Sequence, residues 1–575
     1  MDIVIRGGTV IDGTGKPGYV ADVGIKDGLI VAVGQIAERG REEIDASNQI
    51  VTPGFVDLHT HYDGQATWDN YFASSSWHGV TTVLMGNCGV GFAPCKPENR
   101  QSLIDLMEGV EDIPAPALHE GLDWQWESFG EFLDRLESKP HDIDYGVLLP
   151  HSAVRIHAMG KRASYKESAT PEEIAKMRQI AKEAVLSGAF GFSTSRATIH
   201  KTVAGEITPS FGAEEKELIQ IALGMREAGS GMLEFTSDWT LDPKAEFGLI
   251  RDVAEKSGLR TLYSLVALHA KQHVWKELLA LSNDAAKSGV PIRPVFPPRG
   301  TGVLFGLQGT QNPFSACPTY KALADLPVKE RAEKMRDPKI REKILSEDPI
   351  KGSVFAAISR MKYEYIYPLD SSLNYEPSKD MSLAEIAKRE GRTPPEVAYD
   401  LLIANDGRDF ILLQMSSYPT HDLSFSETML REKNSIVGLG DGGAHVGYIS
   451  DASFSTFLLT HWGRDRPTGR FPLEELVRRQ TSDTANAIGL YDRGVIALGK
   501  KADINVIDFK SLRIEQPYVV HDLPGKGRRF LQKATGYTVT IKSGAISYRN
   551  GVSTGILNGR LLRGGPAIEK LTSAA

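Results

Sequence analysis

Cysteine is nearly missing from this chain: Cys88, Cys95 and Cys317 are the only thiols among 575 residues. So few exclude a disulfide framework and favour a reducing compartment. Positive charge is also in deficit, with 66 lysines and arginines against 73 acids and a net charge of -7. That balance provides no basic face to hold nucleic acid or an anionic membrane. No apolar run approaches the roughly 18 residues of a membrane span, and "MDIVIRGGTV" lacks the basic start and apolar core of a secretory signal. What is there, 41% hydrophobic and 24% charged residues, is the balance of a soluble globular protein with more than one domain. A cytoplasmic protein of enzyme size is expected, with homo-oligomer formation left open.

The two ends share a rhythm that the middle lacks. "VGIKDGLIVAVG" has a hairpin signature, with Asp27-Gly28 suited to the positive φ angles of a tight turn, and "GAISYRNG" ends on Asn550-Gly551, a second such pair. "KADINVID" alternates as a strand does. Both termini therefore predict one β domain, with parts at 1–54 and 489–565 and a tail at 566–575. Between them, helix, glycine and strand recur. Thr170-Pro171-Glu172-Glu173 is a capping box with proline at the first helical position, Gly188 is placed to end the helix, and "AFGFSTS" follows as a strand. Such repeats predict parallel βα units over 55–488; over this length a barrel fits better than an open sheet, although the periodicity is common to both. A charged, proline-punctuated helical stretch around 310–390 interrupts them as an insertion, either a lid or a solvated excursion.

The candidate chemistry begins in "PGFVDLHTHYDGQ". Residues two apart on a strand share a face, so His59 and His61 project together and can chelate one ion. Two hydrogen-bonded histidines at a strand end are the plain alternative. Cys88 follows "GVTTVLM" in "GNCGVG", where glycines let the backbone approach a bound group; it reads as a thiolate ligand, a small buried hydrophobe or a nucleophile without an indicated base. Asp441 in "IVGLGDGGAHVG" follows a short apolar strand and reads as a catalytic carboxylate or as an Asx turn; a phosphate loop would need a lysine. His445 has the reach to touch substrate or orient Asp441. His151 and Arg155 in "LLPHSAVR", with Ser195 and Arg196, are candidate substrate-binding residues, the arginines for a carboxylate. Each has a bland reading as a structural hydrogen-bonding group. "GFSTS" is not the nucleophile elbow of serine hydrolases.

Three segments together, "VIRGGTVIDGTG", "VTPGFVDLHTH" and "GVIALGKKADINVID", resemble the amidohydrolase superfamily. Within it, "GVTTVLMGNCGVGFAP", "MEGVEDIP", "HSAVR", "GAFGFSTSR" and "GLGDGGAH" look like the N-acyl-D-amino-acid deacylase (D-aminoacylase) group, over nearly the whole chain. The resemblance implies an α/β fold, a (β/α)8 TIM-like barrel with a composite β-sandwich from both termini. It implies Cys88 as a metal ligand and Asp441 as both ligand and proton acceptor for the attacking water.

The sequence departs from that group in the middle. The group's further metal-binding histidines lie on two strands, whose counterparts here are "MLEFTSDW" and "TLYSLVALHAKQH". The first has Glu234, a carboxylate able to replace a histidine; the second has His269 and His273 only beyond the strand. One tightly bound ion is expected rather than two, with zinc as first choice and another divalent ion as alternative. The expected reaction is hydrolysis of a small-molecule amide, of the N-acyl-D-amino-acid type. A cyclic amide, lactone or xenobiotic amide is the alternative substrate, and a non-catalytic binding or assembly module the alternative of another class.

Overall fold

The computed structural model describes residues 1–348, 362–448 and 451–564; the tail expected at 566–575 and part of the 310–390 stretch lie outside them. Among the described residues, eight parallel strands follow one another in chain order: Phe55–Asp57, Val80–Met85, Asp144–Pro150, Gly191–Arg196, Met232–Ser237, Arg260–Ser264, Ile292–Phe296 and Ile436–Val437. Beyond the first and eighth strands, Thr60 pairs with Gly442 in parallel. Two hydrogen bonds flank that bridge, from the His61 amide to the Gly442 carbonyl at 2.7 Å and from the Asp441 amide to the His59 carbonyl at 3.1 Å. The sheet closes into a barrel here. Val56, Leu84, Leu148, Leu262, Val295 and Ile436 meet in one buried cluster, so the interior is a packed core and not a pore.

Local signals account for the units around it. Thr170 and Glu173 form the capping box of helix Pro171–Ser187, and Gly188 ends it at φ 113°. The buried face is Ile174, Met177, Ala181, Ala184 and Val185, spaced at the helical period.

A nine-stranded sheet is drawn from both termini, and its junction is the antiparallel pairing of Ile50–Pro53 with Ile504–Ile507. Strand Ile3–Val10 is bulged between Ile5 and Gly8; its first half pairs with Glu42–Asp45 and its second with Ile50–Pro53. Strands that change partner at a bulge turn the corners of β-sandwiches. Ile5, Val23, Val51, Ile504, Val506 and Ile541 share one core. Both hairpin turns form where expected, with positive φ at Asp27, Gly28, Asn550 and Gly551.

Barrel and terminal sheet are joined by buried charge. Asp144, at the start of the third barrel strand, is reached by Arg493 at 2.7 Å and by Lys501 and Lys542 at 2.9 Å. Lys542 also contacts Asp503 at 2.7 Å.

The insertion carries the expected helices and adds a sheet to them. Between the seventh and eighth barrel strands lies an antiparallel sheet of Thr301–Phe305, Ile366–Leu369 and Phe410–Ser416, together with helices such as Val328–Met335 and Pro394–Ile403. Val303, Phe305, Tyr399, Leu402, Ile411 and Leu413 give it a core of its own, so its described part is not a solvated excursion. A second difference is hairpin Tyr518–Leu523 and Gly527–Leu531, which leaves the terminal sheet for the barrel mouth, where the Phe530 amide donates to the Val446 carbonyl at 2.7 Å. Among the described residues no helix is long and apolar enough to cross a membrane.

Candidate metal centre

The donors gather where barrel strands end. His59 and His61 leave the first strand, Cys88 the second and Asp441 the eighth, the end at which such barrels carry their active sites. Cys88 Sγ lies 3.4 Å from His59 Nε2, while Asp441 Oδ1 lies 3.3 Å from His59 Nε2 and 3.7 Å from His61 Nε2. Four donors held about 2.1–2.3 Å from one tetrahedral ion stand roughly 3.4–3.8 Å apart. These three spacings fit that range; His59, His61 and Cys88 have ligand atoms all within 4.8 Å of one another, and Asp441 approaches from the imidazole side. The Asp441 carboxylate thus faces the imidazoles and not its own turn.

The backbone is bent to make this possible. Cys88, Asp441 and His445 have φ of 55°, 45° and 47°, a region that side chains other than glycine's adopt at a cost and that clusters at functional sites. Gly86 and Gly89 flank Cys88 at φ 83° and 67°, and a Cβ on Gly89 would lie 2.8 Å from the Ser195 amide nitrogen on the fourth strand. Gly89 in "GNCGVG" is thus required by the neighbouring strand's backbone.

Burial holds most of these groups in their uncharged forms. Burial pushes His59 and His61 down to about 3, so both imidazoles are neutral donors at pH 7. Burial, then Glu234, Glu111 and Asp441, push the Cys88 thiol well above its ordinary value. Burial raises Glu234 to about 8. A bound dication reverses this by stabilising thiolate and carboxylate together.

Sequence reasoning missed two residues here. Glu111 ends helix Arg100–Glu111 and is buried; Oε1 lies 3.4 Å from His61 Nδ1 and Oε2 3.5 Å from His445 Nε2. These contacts lack hydrogen-bond geometry, so His61 Nδ1 and both carboxylate oxygens have no hydrogen-bond partner among the described residues. Burial first, then Asp441, Asp63 and Glu234, push Glu111 well above the carboxylate range. "MEGVEDIP" marked the segment, but a glutamate at a helix end has no local signature. His200 lines the cavity from the loop after the fourth strand, with Nδ1 2.7 Å from Ser195 Oγ.

Other expected site residues fall elsewhere. Glu234 is outside the donor cluster: Oε2 accepts from the Cys88 amide at 3.1 Å and Oε1 from the Thr236 hydroxyl at 3.0 Å, which makes it a buttress of the Cys88 loop. His151 and Arg155 do not line the cavity, because both are buried on Glu217. Arg196 donates to Glu246 at 2.7 Å and to the Ala213 carbonyl at 2.8 Å. Ser195 acts on the cavity only through His200. His445 does line it, with Nδ1 3.1 Å from the Tyr448 hydroxyl. His269 stacks on Tyr365, ring centroids 3.7 Å apart, and His273 precedes helix Val274–Lys287.

The cavity over the donors measures about 240 Å³. Thr236 and Ser264, on the fifth and sixth strands, are on its wall, and Thr301, Met415 and Ser416 reach it from the insertion.

A parallel barrel with neutral imidazoles, a thiol and a carboxylate converging at its mouth is a barrel hydrolase of the metal-site class. The chain belongs to the amidohydrolase family, whose model matches residues 42–548. It is a hydrolase acting on carbon–nitrogen bonds other than peptide bonds, and the binding-module alternative falls away. The chain is similar to an N-acyl-D-glutamate deacylase of Alcaligenes xylosoxydans xylosoxydans, 26% identical over 510 residues, or 88% of this chain and 87% of that one. Its fold resembles the crystal structure of a D-aminoacylase, with a TM-score of 0.66 and 23% identity over 98% of this chain and 99% of that one. An N-acyl-D-glutamate deacylase from Bordetella bronchiseptica, solved with zinc and a phosphonate inhibitor, has a TM-score of 0.65 and 21% identity over the same shares.

Proposed function

We propose that the protein removes the acyl group from an N-acyl amide, in the manner of the D-aminoacylase group, with one divalent ion at His59, His61, Cys88 and Asp441. The observation that carries this reading is the cluster of His59, His61 and Cys88, ligand atoms all within 4.8 Å of one another, with Asp441 Oδ1 3.3 Å and 3.7 Å from the two imidazoles. Zinc suits the set, since it accepts imidazole, thiolate and carboxylate together. A bound dication supplies polarisation of the amide carbonyl and acidification of water. The protein's residues do the rest. Asp441, on the cavity wall, takes the proton of the attacking water and returns it to the leaving nitrogen. His200 and His445, held near 4 chiefly by burial, are neutral hydrogen-bonding groups for the substrate. A second ion of the usual kind lacks its ligands, because the middle strands present Thr236 and Ser264.

Metal analysis of purified protein, beside a hydrolysis screen over N-acyl D- and L-amino acids and neutral amides, tests this reading. The parent is expected to hold about one transition ion per chain. Cys88→Ser should lose metal and turnover together, beyond the ~10–100-fold that removal of an outer partner costs. Full metal retention in that variant would return Cys88 to a packing role.

Glu111 supports the centre from behind. With its oxygens toward His61 Nδ1 and His445 Nε2, it is placed to fix the His61 tautomer that presents Nε2 to the ion. Glu111→Ala should weaken metal affinity ~10–100-fold, with Glu111→Gln restoring part of it. A competition titration with a chelator reads this without activity; unchanged affinity in both variants would remove Glu111 from the centre.

A further inference from the structure

Among the described residues, no lysine or arginine lines the cavity, and its acidic side chains are Glu111, Asp238 and Asp441. Asp238 follows the fifth strand, where its carboxylate accepts from the Thr240 amide at 2.7 Å, the Thr198 amide at 3.3 Å and both threonine hydroxyls. Burial would raise Asp238, but these donors outweigh it and hold it below the ordinary carboxylate value. Its charge stays negative at neutral pH. The arginines that looked suited to a substrate carboxylate are committed internally, Arg155 to Glu217 and Arg196 to Glu246. Much of the remaining wall is apolar: Ile199, Trp239, Val266, Leu268 and Met415.

A carboxylate entering this cavity would exchange water for an apolar wall and a fixed like charge. Both disfavour the ion. An uncharged amide meets neither penalty, and Trp239 offers it an aromatic face. Resting on the amide-hydrolase reading above, we infer that the substrate is an uncharged, largely apolar N-acyl amine with no carboxylate on its amine half. This departs from the N-acyl-amino-acid substrates after which the similar deacylases are named. The chemistry balances without another reactant. The oxygen of water bonds to the carbonyl carbon, the carbon–nitrogen bond breaks, and a water proton ends on the nitrogen, giving a carboxylic acid and an amine. The acid ionises near the Asp238 carboxylate, which favours its departure.

The test compares kcat/KM of the metal-loaded full chain for matched amides: N-acetyl-D-phenylalanine, N-acetyl-L-phenylalanine and N-acetylphenethylamine, each also as the hexanoyl amide. The uncharged phenethylamides are expected to be favoured by ~100-fold or more, because juxtaposed like charges disfavour the acids. Ile199, on the wall and 75% exposed, can take a cation without disturbing the core. Ile199→Arg should shift the ratio toward the acids, as should Asp238→Asn if it folds. Lys271 is the control, since its ammonium donates to the Thr240 carbonyl near the wall. Preference for an N-acyl amino acid in the parent, abolished by Lys271→Ala, would make Lys271 a carboxylate partner and overturn the inference. Preference for the acids without that dependence overturns it as well, while leaving the amide reading intact. Hydrolysis of none of the set overturns both.

Discussion

Asp441→Asn is expected to fold and to lose ~10²–10⁴-fold of turnover, the usual contribution of a positioned acid–base group. The substitution keeps the shape of the side chain and one oxygen, but an amide cannot accept the proton of attacking water. The anchors of this residue do not depend on its charge. Its backbone amide donates to the His59 carbonyl at 3.1 Å, and the neighbouring Gly442 carbonyl receives the His61 amide at 2.7 Å. The seam should hold, and with it much of the metal on His59, His61 and Cys88. Turnover of the best amide, measured beside metal content and thermal midpoint, separates the roles. Activity within a few-fold of the parent would make Asp441 a turn residue and remove the proposed mechanism.

Asp144→Asn should give the largest loss of stability, about 3–5 kcal/mol, because it strips the counter-charge from buried cations. Arg493, Lys501 and Lys542 all converge on this carboxylate, and Lys542 is fully buried. Their positive charges would remain with Asp503 as the main partner of Lys542. The pH dependence follows from the same network. Burial alone would raise Asp144, but Lys542, Arg493 and Lys501 outweigh it and hold the carboxyl well below its ordinary range. The folded chain thus binds this proton less readily than the unfolded chain. The contribution is complete above the unfolded value of about 3.9 and is lost as pH falls through the lower folded value. Denaturant unfolding of parent and variant at pH 7, and again below pH 4, should show the gap closing in acid. Equal midpoints at pH 7 would mean the network contributes nothing to the joint between barrel and sheet.

The sequence by itself determined what is local. Alternation and Asp27-Gly28 or Asn550-Gly551 specify hairpins because only certain residues accept positive φ at low cost. The capping box at Thr170 and the glycine at 188 specify a helix because they satisfy its end groups within a few residues. The period of a strand puts His59 and His61 on one face whatever the rest of the chain does. These signals, with the family resemblance, were enough for the barrel class and for the ligands His59, His61, Cys88 and Asp441 as candidates.

Only the tertiary structure decided which groups meet. The first and last barrel strands close at the Thr60–Gly442 bridge, and that closure sets Asp441 against both imidazoles. Glu111 arrives from a helix end and His200 from a loop, neither with a sequence pattern of its own. Arg155 and Arg196 looked free for a substrate carboxylate, yet the fold packs Glu217 and Glu246 against them. A buried guanidinium needs a partner, and which carboxylate supplies it depends on helices packed beside the barrel, far along the chain. The charge left at the cavity wall is therefore a property of the fold, since pairing removes cations that composition alone would leave available.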